Sequence, residues 1–362
     1  MTAGRRLVSF ERRLEFPAWL PPLVTVGALG LALTVSATIL KVAGGDPLLT
    51  FRHMANAAFG SVGVLSDTLV TATPLILTGL ACALAFRMRL WNIGAEGQFF
   101  MGAWAASAVV LTPLVPAGSP GWLVIPVMVV AGCLGGGVWG LIPGFLKARF
   151  AVNEIIGTLM LNYVAALWNR YWVFGPWSEG GFQLTAQFPR EAWLPRLTNY
   201  AERVPSFAGL TVHLGLFFGL LAALGLWFLV SRSRWGYEIR LIGDNPNAAR
   251  YAGVHLKRNI ILVFALSGAL AGLAGMSEVS GVVHRLQDRI SPGYGFTAII
   301  VAYLAKFNPV GVVITAILFG GLILAGREIQ PSGVPAMIQG VVLFSLIASE
   351  VLLRYRIRLG RG

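Results

Sequence analysis

The sequence predicts an all-α polytopic integral membrane protein of about ten transmembrane helices, each needing roughly 20 apolar residues to cross a bilayer. Composition is the first observation behind this: of 362 residues 56% are hydrophobic and 12% charged, with a mean hydropathy of +0.73. Soluble domains carry about 25% charged residues, so too little polar surface remains to cover a water-soluble fold. The second observation is that the apolar residues are grouped in runs of near-membrane length. The third is that Lys and Arg interrupt those runs, so the net charge of +13 reads as a record of topology. A nucleic-acid binder would cluster its basic residues on one solvated face.

The runs are taken in chain order. Residues 1–17 carry Arg5, Arg6, Arg12 and Arg13 before the apolar stretch 18–40. This resembles a signal-peptide start, but the stretch exceeds about 20 residues and no small-residue cleavage pattern closes it, so an uncleaved first span with a cytoplasmic N-terminus is expected. Plain spans follow at 122–146, 211–230, 260–283, 310–325 and 334–353. Shorter or more polar ones lie at 72–86, 97–111, 155–174 and 294–305. Residues 50–69 place Phe51, Met54, Phe59, Val62, Leu65 and Leu69 at helical spacing, as in an amphipathic helix lying in the outer interface; a short packed loop helix fits equally. Residues 175–209 are rich in Pro, Trp and charge and read as an outer loop with aromatic anchors. Ten crossings starting inside put 19 of the 28 Lys and Arg in cytoplasmic segments, which include the loop 231–259 and the tail 354–362. Short loops rich in basic residues stay cytoplasmic, so both termini are expected inside.

Two pairs of spans, near 72–111 and near 260–305, each join a Gly-rich helix to a short one through a polar break. The first break is expected to face the cytoplasm and the second the outside, as an inverted repeat requires; interrupted segments at matching positions of two halves point to a transport pathway.

No P-loop, His-Glu-x-x-His, Gly-x-Ser-x-Gly or Cys-x-x-Cys occurs, so no catalytic residue is expected. Cys82 and Cys133 sit in apolar stretches, and His53, His213, His255 and His284 share no helix face, so no metal site is indicated. Asp67, Glu96, Glu154 and Glu278 lie within or beside the apolar runs, where a carboxylate is costly and a functional candidate by default. Asn92 with Glu96, and Asn153 with Glu154, also read as helix starts. The concentration of Asn92, Glu96, Gln98, Asn153, Glu154, Asn162 and Tyr163 exceeds what two caps need, and these residues are candidates for a gate or a polar path. A proton relay through Glu96, Glu154 and Glu278 would instead make a secondary transporter.

The loop 231–259 discriminates between these readings. Asp244 or Asn245 can cap a helix whose first turn begins at Pro246, and Gly253 can stop it. Ala248, Ala249 and Ala252, with Tyr251 among them, would give that exposed helix a surface that a partner's backbone can approach closely. The stretch GDNPNAARYAG, together with FRMRLWNIGAEGQFFMGAW (86–104) and AVNEIIGTLMLNYVA (151–165), resembles the permease subunits of ABC importers. The similarity is to the branch serving branched-chain amino acids, ribose-type sugars and nucleosides, and most of all to nucleoside-type permeases that work with a basic-membrane-protein-like lipoprotein. Trp91 departs mildly, since Phe or Leu is more usual there.

The resemblance implies a multi-pass cell (inner) membrane permease that imports a nucleoside or a simple sugar. It implies a cytoplasmic ABC ATPase that carries ATP and Mg, a second permease subunit forming a heterodimer, and an outer substrate-binding lipoprotein. No cofactor on this chain and no nucleic acid are implied. Arg240, Asp244, Asn245, Pro246, Ala248, Ala249, Tyr251 and Gly253 match the coupling motif, with Gly243 and Ala252 beside them.

Overall fold

Each apolar stretch becomes a helix, and the chain is an all-α polytopic membrane protein. The computed structural model describes residues 8–12, 17, 19–112, 114–116, 118–328 and 333–359. In chain order the apolar helices are α1 (Leu20–Val42), α3 (Val62–Arg87), α4 (Ala95–Leu111), α5 (Gly121–Phe150), α6 (Glu154–Phe174), α7 (Leu214–Arg232), α10 (Leu256–Glu278), α11 (Tyr294–Leu304), α12 (Pro309–Ala325) and α13 (Val334–Arg354). Between them lie α2 (Pro47–Phe59), α8 (Arg234–Asp244) and α9 (Pro246–Tyr251), and α10 continues as a π-helical turn, Val279–Val283. Helices α1, α3, α5, α7 and the extended α10 are long and apolar enough to cross a membrane unaided. The others are shorter or more polar.

The chain divides into two compact units, residues 1–56 with 325–362 and residues 57–324. In the first, α1 packs along α13. The chain ends pair there as an antiparallel ribbon, β1 (Val8–Arg12) with β2 (Tyr355–Leu359), Val8 standing opposite Leu359 and Arg12 opposite Tyr355. Tyr355–Leu359 alternates apolar and polar residues as a strand does, but its partner lies at the other end of the chain with no turn between them, so the pairing itself is not foretold.

In the second unit α10 is the hub, packed on α5, α4 and α3. Glycines make that possible. A Cβ on Gly102 would collide with the backbone of Gly272, and one on Gly136 with Gly268 and Gly272. Between apolar helices in lipid, close approach of backbones through small residues replaces the hydrophobic drive available in water. Helix α3 is buried along most of its length, in keeping with a central position.

One expectation is corrected. Residues 50–69 are two helices: α2 stops at Phe59, and α3 starts at Val62 and runs into the long span. Ser61, extended at φ −151° and ψ 166°, caps the second by accepting from the Val64 N–H at 3.2 Å. A two-residue interruption ahead of an N-cap leaves the apolar spacing almost intact, so periodicity alone cannot reveal it.

Candidate functional site

The two breaks, 88–94 between α3 and α4 and 284–293 between the π-turn and α11, do not remain at opposite faces. Both fold back until the starts of α4 and α11 meet. The Gly295 N–H donates to Glu96 Oε2 at 2.6 Å, and a Cβ on Gly295 would collide with the Glu96 backbone. The Ser291 hydroxyl also bonds Glu96 while accepting from the N–H groups of Gly293 at 3.1 Å and Tyr294 at 3.0 Å. Glu96 is therefore buried in the first turn of one half-helix and bonded to the first turn of another. Helix N-termini carry partial positive charge, and here a carboxylate stands between two of them.

The level of this meeting point follows from α6. The Gly97 N–H donates to Asn162 Oδ1 at 2.8 Å, and Asn162 Nδ2 donates to Ile93 O at 2.9 Å. Asn162 lies well inside α6, about 12 Å of helix from the Glu154 end and about 18 Å from the Phe174 end at 1.5 Å per residue. From there the half-helices run apart. Helix α4 heads toward Trp104, which meets Trp168 and Trp172 of α6 at 5.5 and 5.7 Å. Helix α11 heads toward Phe307, whose ring is 5.6 Å from Phe86 near the end of α3.

The first break is held by side chains. Asn92 and Gln98 form a reciprocal amide pair, Nδ2 to Oε1 at 3.0 Å and Nε2 to Oδ1 at 3.3 Å. Asn92 also donates to Ser267 Oγ at 2.8 Å and accepts from the Gly94 N–H at 3.0 Å. The Ser267 hydroxyl donates onward to Ala81 O at 2.7 Å. Every polar site on Asn92 is thus used, as burial requires.

The second break is held by main chain and side chains together. A strap from the loop beyond α6 lies on it: Thr185 N–H donates to Leu286 O at 3.0 Å, Phe188 N–H to His284 O at 2.8 Å, and Leu194 N–H to Ser280 O at 3.0 Å. Arg196 Nη2 donates to Gly281 O at 2.9 Å and lies 3.1 Å from His284 Nε2. The Trp193 indole stacks on the His284 ring at 3.8 Å. His284 Nδ1 is 3.0 Å from Ser280 O, a carbonyl that can only accept, so the proton sits on Nδ1 and Nε2 accepts from Arg196. Burial and the Arg196 guanidinium hold His284 down at about 4. Burial, then Arg196 and His284, do the same for His213, whose Nδ1 accepts from the Gly215 N–H at 3.1 Å.

Asn92, Glu96, Gln98 and Asn162 thus come together, while three of their companions stand apart. Asn153 caps α6 by accepting from Ile155 N–H at 2.9 Å. Glu154 pairs with Lys147 at 2.7 Å. Tyr163 points outward, 62% exposed, about 100° round the helix from Asn162. A helix cap explains the first and an ion pair the second. Ser267, Ser291 and Gly295 escape a reading of the sequence because an isolated Ser or Gly in or beside an apolar run carries no signal.

The coupling loop folds as two helices fastened to the first break. Ser233 caps α8, and Gly243 sits against Arg87 O so closely that a Cβ there would collide. Trp235 Nε1 donates to Asn259 Oδ1 at 2.6 Å, Asn259 Nδ2 to Glu238 Oε2 at 2.9 Å, and Arg240 to Val230 O. Of the two caps open in the sequence, Asn245 is used: it accepts from Asn247 and Ala248 N–H at 3.0 and 3.1 Å, ahead of Pro246. Gly253 follows α9 at φ +79°. Tyr251 is 95% exposed. Ala248 is half-buried and Ala252 exposed, but Ala249 is fully buried, which corrects its expected place on the docking surface. In a six-residue helix packed on α8, one side must face inward.

Broken helices meeting at depth, with an amphipathic loop wired to one break, define a multi-pass transport permease. Residues 64–349 match the family described as branched-chain amino acid transport system / permease component, and the chain belongs to that family. It is 36% identical to the glucose ABC transporter permease protein TsgB13 of Haloferax volcanii, over 97% of this chain and 93% of that one. It is 35% identical to the guanosine ABC transporter permease protein NupP of Bacillus subtilis, over 94% and 95%. With the nucleoside ABC transporter permease protein NupB of Lactococcus lactis the identity is 30%, over 90% and 89%. The chain is an ABC importer permease of the nucleoside and sugar branch, a transporter subunit and not an enzyme.

Proposed function

We propose that this permease imports a neutral polar solute, a nucleoside first and a simple sugar as the second reading, driven by ATP on a partner ATPase. One observation carries the word neutral. In transporters with broken helices, half-helix N-termini at mid-depth point at anionic substrate groups. Here Glu96 of the protein itself holds that position and takes the Gly295 N–H and the Ser291 hydroxyl, so a substrate carboxylate would find those donors already occupied. That argues against an amino acid. The relatives named for guanosine and nucleosides favour the nucleoside, and the one named for glucose supports the sugar.

Both termini lie in the cytoplasm on this reading. The pairing of β1 with β2 supports a common side for the two ends, and the arginines clustered in both end segments, Arg5, Arg6, Arg12, Arg13, Arg354, Arg356, Arg358 and Arg361, favour the cytoplasmic one. The ATPase, holding ATP and Mg, docks on α9 through Tyr251 and Ala252, with a second, non-identical permease beside this one and a binding lipoprotein outside. ATP acts only through differential affinity for two conformations. Motion of α9 passes to α8, from Gly243 to Arg87 at the end of α3, and through Asn92 and Gln98 to the start of α4. The gate is the contact of Glu96 with Gly295.

Vesicle uptake with the permease pair and ATPase tests this. Nucleoside uptake should follow ATP and ignore a proton gradient. Tyr251→Ala should lower the ATP-driven rate on the order of tenfold by removing an exposed aromatic anchor of the hot-spot kind, with the fold intact. Uptake that follows the proton gradient alone would restore the secondary-transporter reading.

A further inference from the structure

At the polar end of α7 a groove of about 530 Å³ opens between the last residues of that helix, α8 and the segment after α9. Arg232, Arg234 and Arg240 line it together with Ser231, Ser233 and Tyr237. The single carboxylate in its wall, Glu238, is engaged by Asn259 Nδ2 at 2.9 Å. Among the described residues no acidic group stands within ion-pairing distance of these three arginines. Arg240 donates to Val230 O, a carbonyl in the last turn of α7, which fixes the groove at the depth where the apolar span ends. Directly before it on α7, Leu224, Trp227 and Phe228 are 61%, 38% and 60% exposed.

We propose that this groove is a binding site for one anionic phospholipid. Its phosphate is held by Arg232 and Arg234 with Arg240 behind them, and its acyl chains lie along Leu224 and Phe228. Three features together select a lipid over the acidic surface of a docked protein. The cations are concave rather than presented on a ridge, they sit at the end of a span, and they continue into an apolar face that water-soluble partners do not touch. Basic pockets between helices on the cytoplasmic side suit anionic headgroups. Because Ala252 and Val254 also line the groove, a lipid here would brace the coupling helix against α7 and set how firmly α9 transmits motion. This site is independent of which solute is carried.

The test is native mass spectrometry of the full-length permease in detergent, with phosphatidylglycerol and phosphatidylcholine of matched chains as probes. The wild type should retain phosphatidylglycerol in preference to phosphatidylcholine. Arg232→Gln with Arg234→Gln should lower that retention about 30-fold, the effect of two basic residues near a lipid surface. Both arginines are exposed, so the pair of changes leaves the fold in place. Arg232→Lys with Arg234→Lys keeps the charge and should keep the lipid. Glycerol phosphate should not displace it. Equal retention by the Gln variant, equal retention of the two lipids, or displacement by glycerol phosphate would each overturn the proposal. So would a Gln variant that keeps its lipid and loses only the ATPase.

Discussion

The two breaks bring two half-helix starts to one meeting point, yet they are secured by different means. The break 88–94 is held by amide and hydroxyl side chains, Asn92, Gln98, Ser267 and Asn162. The break 284–293 is held by a strap that adds main-chain bonds to side-chain bonds from Thr185, Arg196, Asn169 and Ser280 and to the Trp193–His284 stack. Side-chain bonds can be exchanged by a rotamer change of one residue, whereas a ladder of backbone bonds releases only when a segment peels away. The first break is also the one that the coupling loop touches, through Gly243 on Arg87. On the proposed reading the first side is the one that moves and the second the one that stays, until something binds to the strap.

The largest effect should come from the point the two breaks share. Gly295→Val places a side chain against the backbone of Glu96, where not even a Cβ fits. The half-helices must separate, because neither neighbour is the free end of a flexible side chain. Overpacking of this kind costs about 1–3 kcal/mol and sometimes more. Displacing the gate by an ångström should cut uptake on the order of 100-fold. Vesicle uptake checks this, with detergent-extracted yield to report folding. Normal uptake would mean that the meeting of α4 and α11 is not the gate.

Next comes Asn92→Ala, which probes the unequal fastening of the breaks directly. It strips Gln98 and Ser267 of a buried partner, at about 1–3 kcal/mol for each group left unsatisfied. If the first break relays motion, this variant should hydrolyse ATP through its partner while transporting little, an uncoupled phenotype. Arg196→Gln on the strap should lower transport and ATP turnover together. Measuring ATP hydrolysed per solute moved separates them. Identical ratios for the two variants would erase the distinction between a mobile and a fixed break.

How far the sequence foretells this site depends on the kind of signal. Spans are legible because little besides a membrane crossing calls for an apolar run of that length, and Asn92, Glu96, Gln98 and Asn162 stand out because polar residues in such runs are costly. Their partners are not legible. Ser267 and Ser291 are single hydroxyls, Gly295 is one of 44 glycines, and each matters only because the fold brings a distant backbone against it. Direction is equally hidden: Tyr163 adjoins Asn162 in sequence but faces away, and Ala249 adjoins Ala248 but is buried. Facing depends on neighbours that arrive from elsewhere in the chain. Asn153 and Glu154 show the converse, a cap and an ion pair that sequence proximity makes look like part of the path.

The smallest effect concerns acid. His213 and His284 both titrate at about 4 in the folded protein, against an ordinary value of 6.5. Between those values the unfolded chain binds more protons than the folded one, so stability rises with pH through that window and is flat above it. Lowering the pH from 6.5 toward 4 therefore works against the strap. The cost comes from bringing a second cation beside Arg196 and from desolvating it. Melting temperature across this range should fall in the wild type and in Asn92→Ala with the same slope, because the first break carries no histidine. His213→Gln with His284→Gln should flatten that slope even though its starting stability is lower. A slope that survives in the double variant would move the acid response away from the strap, and with it the claim that the two breaks can be loosened separately.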